Sequence, residues 1–287
     1  MTTLGSSVRP GQAGLAAAEV PDGVAAVELR GATMALGERV LWDGLDLRVE
    51  PGEFLAVLGP NGSGKTTLLK VLLGQRELSS GSARVGGRAP RGGSTRIGYI
   101  PQQQPMDPDT PLRARDLVGL GLDGHRLGLR LGRGGGARRA KVDAALAAVG
   151  ATGYANMPVG RLSGGEQQRL RVAQALAGDP SVLLCDEPLL SLDLANQRVV
   201  SQLIDQRRIE AATAVLFVTH EINPVLPLVD RVLYLVNGQF RVGTPEQVMT
   251  SEVLSELYHT QVDVLRVRDR LVVVGAEDPG VHCEQGT

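Results

Sequence analysis

The stretch Gly59-Pro-Asn-Gly-Ser-Gly-Lys65-Thr66 combines glycines, a lysine and a hydroxyl in the pattern GxxxxGK[ST]. Glycines let the backbone curl so that successive N–H groups face phosphate oxygens, and a helix starting at the end of the loop adds its partial positive charge. In such a loop Lys65 reaches the terminal phosphates and the Thr66 hydroxyl is a hard oxygen ligand for Mg²⁺. The pattern carries this meaning only between a strand and a helix. Phe54-Leu-Ala-Val-Leu58, just before it, is a continuous apolar run of the kind a doubly buried strand shows. Thr66–Leu73 reads as a helix stopped by Gly74. The expected phosphate cradle is Gly59, Pro60, Asn61, Gly62, Ser63, Gly64, Lys65, Thr66 and Thr67.

A second constellation is Val182-Leu-Leu-Cys-Asp-Glu187, an apolar strand that ends in two carboxylates. Open α/β sheets bind ligands at the carboxyl ends of their strands, so both acids are expected there. Asp186 is the natural partner for a magnesium ion on Thr66, and Glu187 is the candidate base for an attacking water. A third is Leu162-Ser-Gly-Gly-Glu-Gln-Gln-Arg169. Ser163 can cap a helix running to about Ala177, and Gly164 and Gly165 leave N–H groups exposed at its positive end.

The elements that must position these groups follow from periodicity. Val27 and Leu29, then Leu45, Leu47 and Val49, alternate as half-buried strands do. Short strands fit Ala83–Val85, Arg96–Ile100, Ser181–Cys185, Thr213–Val218 and Arg231–Val236, with a helix over Asp193–Arg208. Between Leu112 and Gly150 the strand signal disappears, and Val142, Ala145, Leu146 and Val149 keep helical spacing up to Gly150. Asn237-Gly238 signals a tight hairpin, Thr244-Pro-Glu-Gln247 a capping box, and Leu265–Val274, broken at Arg268-Asp-Arg270, a terminal hairpin. The expected architecture is α/β: a mainly parallel core, an N-terminal antiparallel β subdomain and an inserted helical subdomain over about residues 112–178. Residues 1–23, rich in Gly, Ser, Ala and Pro, read as a flexible tail. Residues 24–250 form the main unit, and 251–287 a helix, hairpin and tail.

Composition sets limits on partners. The chain has 287 residues, 43% hydrophobic and 21% charged, with 30 basic against 31 acidic side chains, so nothing provides a nucleic-acid footprint. Two cysteines, Cys185 and Cys283, make no disulfide framework and suit a reducing compartment. No apolar run has the length of a membrane span, and the first 23 residues lack a signal-peptide core.

Taken in order, the motifs make the sequence resemble the ATP-binding subunit of an ABC transporter, from about Val27 to about Thr250. Gly59–Thr66 resembles Walker A, Leu162–Arg169 the LSGGQ signature with Glu166 in its variable place, and Val182–Glu187 Walker B. Gln102 matches the Q-loop glutamine, although Gln103 and Gln104 leave its register open. Ser191-Leu-Asp193 matches the D-loop and His220 the switch histidine. The resemblance implies ATP and Mg²⁺ as cofactors, with Glu187, His220 and Gln102 catalytic and Thr66, Gln102 and Asp186 at the metal. It further implies a head-to-tail homodimer in which Ser163, Gly164 and Gly165 complete the ATP site over the partner's Lys65. The other partners implied are an integral membrane permease and, indirectly, an extracytoplasmic solute-binding protein. The chain would then sit peripherally on the cytoplasmic face of the cell membrane.

Within the family, Ile97-Gly-Tyr-Ile-Pro-Gln102, Thr219-His-Glu-Ile222, Gly243-Thr-Pro-Glu246 and Gly121-Leu-Asp-Gly-His125 look most like manganese, zinc and iron uptake cassettes. Siderophore, haem or another small solute stays open as cargo, as does an ABC ATPase that serves no permease. One departure stands out. Where the family places an aromatic residue to stack on adenine, this sequence aligns Leu36, and the lone Trp42 reads as packing. Cys185 also reads as core. Arg130, Arg133, Arg138, Arg139 and Lys141 around Gly134-Gly-Gly136 read as a solvated loop, and His282-Cys-Glu284 offers too few ligands for a closed tetrahedral site.

Overall fold

Five-residue runs buried at every position suit strands of a sheet covered on both faces. Phe54–Leu58, Val182–Asp186 and Ala214–Val218 are such runs. In the computed structural model, which describes residues 23–102, 106–123 and 135–275, they lie at the centre of the fold. The expected features within residues 1–22 and 276–287, and Gln103, Gln104, His125, Arg130 and Arg133, lie outside the described residues.

The chain runs β1 (Val27–Leu36), β2 (Arg39–Val49), β3 (Phe54–Leu58), α1 (Lys65–Leu72), β4 (Ser80–Val85), β5 (Ile97–Ile100), α2 (Ala114–Asp123) and α3 (Gly135–Ala148). There follow α4 (Gly164–Leu176), β6 (Val182–Asp186), α5 (Leu194–Ala211), β7 (Ala214–Val218), β8 (Arg231–Val236) and β9 (Gln239–Gly243). The last elements are α6 (Pro245–Val248), α7 (Ser251–Tyr258), β10 (Asp263–Val267) and β11 (Arg270–Val274). Six strands form one sheet in the order β5-β6-β7-β3-β8-β9, parallel except for β9. A separate antiparallel sheet has the order β2-β1-β4. The fold is thus α/β, with the antiparallel N-terminal sheet and the helical insertion α2–α4 that the patterning predicts.

Alternation along the strands builds two cores. Phe54, Ala56 and Leu58 point with Leu183, Cys185, Val215 and Phe217 toward the helical insertion. Leu55 and Val57 point the other way, onto Leu68, Leu69 and Leu72 of α1 and the antiparallel sheet. Helix α1 is therefore clamped between two sheets, which fixes the loop preceding it. The hairpin at Asn237-Gly238 has both residues at positive φ, 50° and 80°, as a two-residue turn of this kind requires. The capping box at Thr244 forms with Gln247. The basic stretch expected as a loop is helical from Gly135 onward. Packing of Val142 and Leu146 into the core, with Arg139–Asp143 and Lys141–Asp179 ion pairs, carries a helix that the glycines alone disfavour. Among the described residues no helix is long and apolar enough to cross a membrane.

Candidate nucleotide site

Strand order explains the site. The strands β5, β6, β7 and β3 are parallel neighbours, so residues just past their carboxyl ends converge although they are far apart in sequence. Gln102 follows β5, Glu187 follows β6, His220 follows β7 and Gly59 follows β3. With Pro60 and Asn61, all four line one cavity of about 720 Å³.

The loop after β3 depends on glycine. Gly59, Gly62 and Gly64 have φ of 138°, 77° and 101°, and a Cβ on Gly59 would lie 2.0 Å from the Leu235 carbonyl oxygen. Lys65 is 7% exposed, and its Nζ donates to the carbonyls of Gly59 at 2.7 Å and Pro60 at 2.9 Å, so the ammonium is folded over the loop. No acidic residue occupies the first turn of α1, which leaves its positive end uncompensated. The Ser63 hydroxyl is buried without a hydrogen-bond partner among the described residues, an acceptor-hungry donor on the same loop. Thr67 follows in the first turn. A cationic lysine, a bare helix end and an unsatisfied hydroxyl together fit an anionic phosphate chain.

Asp186 stands at the end of β6, 3% exposed, accepting from Thr66 Oγ1 at 3.1 Å and Tyr99 Oη at 3.4 Å. Burial is the largest effect on its carboxyl and pushes the pKa up; the neighbouring Glu187 adds, while the Thr66 and Tyr99 hydrogen bonds and Lys70 oppose. Burial, then the Asp186 charge, push the Tyr99 phenol up to about 12. Convergence of a threonine hydroxyl and a desolvated carboxylate is a donor set that fits Mg²⁺, which prefers oxygen ligands.

Glu187 adopts φ of 50°, uncommon for a side chain of this size, and its N–H donates to the Val218 carbonyl at 3.0 Å. That conformation turns its carboxylate toward β7, where Oε2 lies 2.6 Å from Nδ1 of His220. Asp193 has a structural part as N-cap of α5, accepting from the Asn196 N–H at 2.8 Å.

Ser163, Gly164 and Gly165 do not line this cavity. Ser163 caps α4 in a full capping box with Glu166, whose Oε2 accepts from both the Ser163 N–H and its hydroxyl at 2.8 Å. Helix α4 is nonetheless tied to the site, since Gln168 Nε2 donates to the carbonyl of Pro188 at 2.8 Å. Trp42 is fully buried, with its ring against Gly64, and Cys185 is fully buried too, as their packing readings expect. Leu36 is 41% exposed and pairs across the hairpin with Arg39, whose guanidinium donates to the Gly62 carbonyl at 3.1 Å. Tyr99, Arg39 and Gln168 were not singled out by their spacing. Only the position of Tyr99, three residues before Gln102 on a strand that ends at the site, could have marked one of them.

Residues 42–190 match the ABC transporter family. The chain is 33% identical over 252 residues to the manganese transport system ATP-binding protein MntB of Bacillus subtilis (strain 168), covering 88% of this chain and 99% of that one. It is 35% identical over 261 residues to the zinc import ATP-binding protein ZnuC of Chelativorans sp. (strain BNC1), covering 91% and 83%. Among solved structures, an inward-facing metal-chelate type ABC transporter matches with a TM-score of 0.71 at 26% identity, over 87% of this chain and 96% of that one. A dimeric ATP-binding cassette in a post-hydrolysis state with ADP and Pi matches at 0.64 and 28%, over 76% and 98%. The chain belongs to the ABC transporter family as an ATP-binding, ATP-hydrolysing subunit.

Proposed function

We propose that this chain powers uptake of a transition-metal ion, manganese, zinc or iron, as one half of a head-to-tail pair of identical cassettes. Its partners in this reading are an integral membrane permease, which keeps it peripheral on the cytoplasmic face, and indirectly an extracytoplasmic solute-binding protein. The cargo assignment is supported by relatives named for manganese transport and zinc import.

The hydrolytic reading rests on one observation, the 2.6 Å contact between Glu187 and His220 in the cavity beside the phosphate loop. The loop amides, Lys65 and the Ser63 hydroxyl bind and orient the β- and γ-phosphates. Glu187 takes a proton from the water that attacks the γ-phosphorus. His220, beside Glu187 in the cavity, donates a hydrogen bond to the γ-phosphate in this reading. Thr66 and Asp186, with Gln102, would hold Mg²⁺, which when bound neutralises charge on the phosphate oxygens. Ser163, Gly164 and Gly165 lie away from the cavity in a single chain, and in this reading they close the site of the partner cassette. ATP at the interface then holds two chains together.

Reconstitution with the permease and binding protein tests the cargo. Stimulation of ATP hydrolysis by binding protein loaded with Mn²⁺, Zn²⁺ or iron is expected. Stimulation only by a siderophore- or haem-loaded protein would move the assignment to those solutes.

A further inference from the structure

The loop that carries His220 is anchored unevenly. Its inner side is fixed, since Ile222 and Val225 are buried and the Val225 N–H donates to the Ile222 carbonyl at 2.9 Å. Near His220, Thr219 Oγ1 exchanges hydrogen bonds with the N–H and carbonyl of Glu221, which shapes the turn without tying it to another element. His220 itself is 55% exposed. The Thr219 N–H donates to the Val57 carbonyl at 3.2 Å, where the loop leaves β7, and beyond His220 the loop is tied to a distant residue through Asn223. Its Nδ2 donates to the Leu271 carbonyl at 2.9 Å, and its Oδ1 accepts from the Leu271 N–H at 2.8 Å. One side-chain amide thus pairs with both backbone groups of a residue on the outer edge of β11, as a further strand would. Leu271 cannot easily shift, because its side chain is buried in the larger core with Ile222 and Val225. Leu271, Val272 and Val273 also line the same cavity as Glu187 and His220.

We infer that Asn223 is a positioning residue for hydrolysis and that the C-terminal hairpin β10–β11 serves as the fixed support against which it holds the His220 loop. The inference rests on the hydrolytic reading of Glu187 and His220. Its physical basis is that two directional bonds to a buried residue, three positions beyond the histidine, remove the freedom of the loop to carry His220 out of reach of Glu187. A misplacement of about 1 Å at a reacting group can cost roughly a hundredfold in rate, so a modest loss of anchorage is visible in turnover.

A double-mutant cycle on the full chain tests it, with ATP turnover, KM for ATP and thermal stability measured for each protein. Asn223→Ala is expected to lower kcat about tenfold while KM stays within about twofold. In the His220→Ala background the same change is expected to lower kcat no further, since the group it positions is gone. Asn223→Asp keeps the bond from the Leu271 N–H but loses the one to its carbonyl, and should fall between wild type and alanine; it carries the same cycle if the alanine variant does not fold. Equal losses from the Asn223 changes in both backgrounds, or kcat within twofold of wild type while His220→Ala is inactive, would overturn the positioning role and leave the hydrolytic reading intact. Normal turnover by His220→Ala would instead overturn the hydrolytic reading itself.

Discussion

Nδ1 of His220 and Oε2 of Glu187 lie 2.6 Å apart, although the two residues are separated by 33 positions and follow different strands. The contact engages Nδ1 at the edge of the imidazole, and both residues line the cavity that Gly59, Pro60 and Asn61 of the phosphate loop also line. Because β6 and β7 are parallel neighbours, the residues just past their carboxyl ends meet.

Glu187→Gln keeps size and hydrogen bonding but cannot take a proton from water. ATP binding is expected to stay within about twofold while turnover falls at least a hundredfold, as general-base removal commonly costs 10²–10⁴. Size-exclusion chromatography with ATP should then show an accumulated dimer. Wild-type turnover would remove Glu187 from the role of base.

Gly59→Ala and Gly62→Ala separate loop shape from loop chemistry. A Cβ at Gly59 would lie 2.0 Å from the Leu235 carbonyl oxygen, whereas at Gly62 the nearest atom is the Arg39 guanidinium at 3.3 Å. Both positions have positive φ, which alone costs roughly 1–2 kcal/mol for a non-glycine residue. Gly59→Ala is therefore expected to abolish ATP binding and to lower the melting temperature well beyond Gly62→Ala, which should retain measurable binding. Calorimetry and nucleotide titration on both variants decide it, and equal effects would contradict the assigned close approach.

Ser163 lies outside the cavity of its own chain, so its part in hydrolysis is tested across two chains. Mixtures of Lys65→Ala and Ser163→Arg subunits form heterodimers in which both lesions fall on one composite site and the other stays whole. Activity should recover partly in the mixture, to at most about half of wild type. If every ratio gives only the sum of the separate subunits, the head-to-tail arrangement fails.

Trp42 and Leu36 answer differently to substitution. Leu36, exposed on the hairpin opposite Arg39, is free to meet a base, and Leu36→Tyr should tighten ATP about tenfold, in line with roughly 1–3 kcal/mol for aromatic stacking. The Trp42 ring packs against Gly64 under the phosphate loop. Its loss to alanine should cost about 3–5 kcal/mol of stability and weaken ATP through the loop. Unchanged stability in Trp42→Ala would show that the ring does not support the loop.

Much of the site was legible because it is local. A glycine loop between a buried strand and a helix, acids at a strand end and a serine three residues before a glutamate each specify their geometry within a few residues. Gly59–Thr66, Asp186–Glu187 and Ser163–Glu166 accordingly take the shapes that their spacing predicts. The same holds for the turn at Asn237-Gly238 and the cap at Thr244. What spacing could not say is which strands become neighbours. The order β5-β6-β7-β3 is not the chain order, and it alone brings Glu187 to His220, Tyr99 to Asp186 and Gln102 to the same cavity. The helix through Arg139 and Lys141 likewise depends on long-range packing, since Val142 and Leu146 are buried in the larger core. Asn223 shows the limit most clearly: nothing around it in the sequence points to Leu271, 48 positions away. Local chemistry is written in residue order, whereas the pairing of distant backbone groups is decided when the sheet and its flanking hairpin pack.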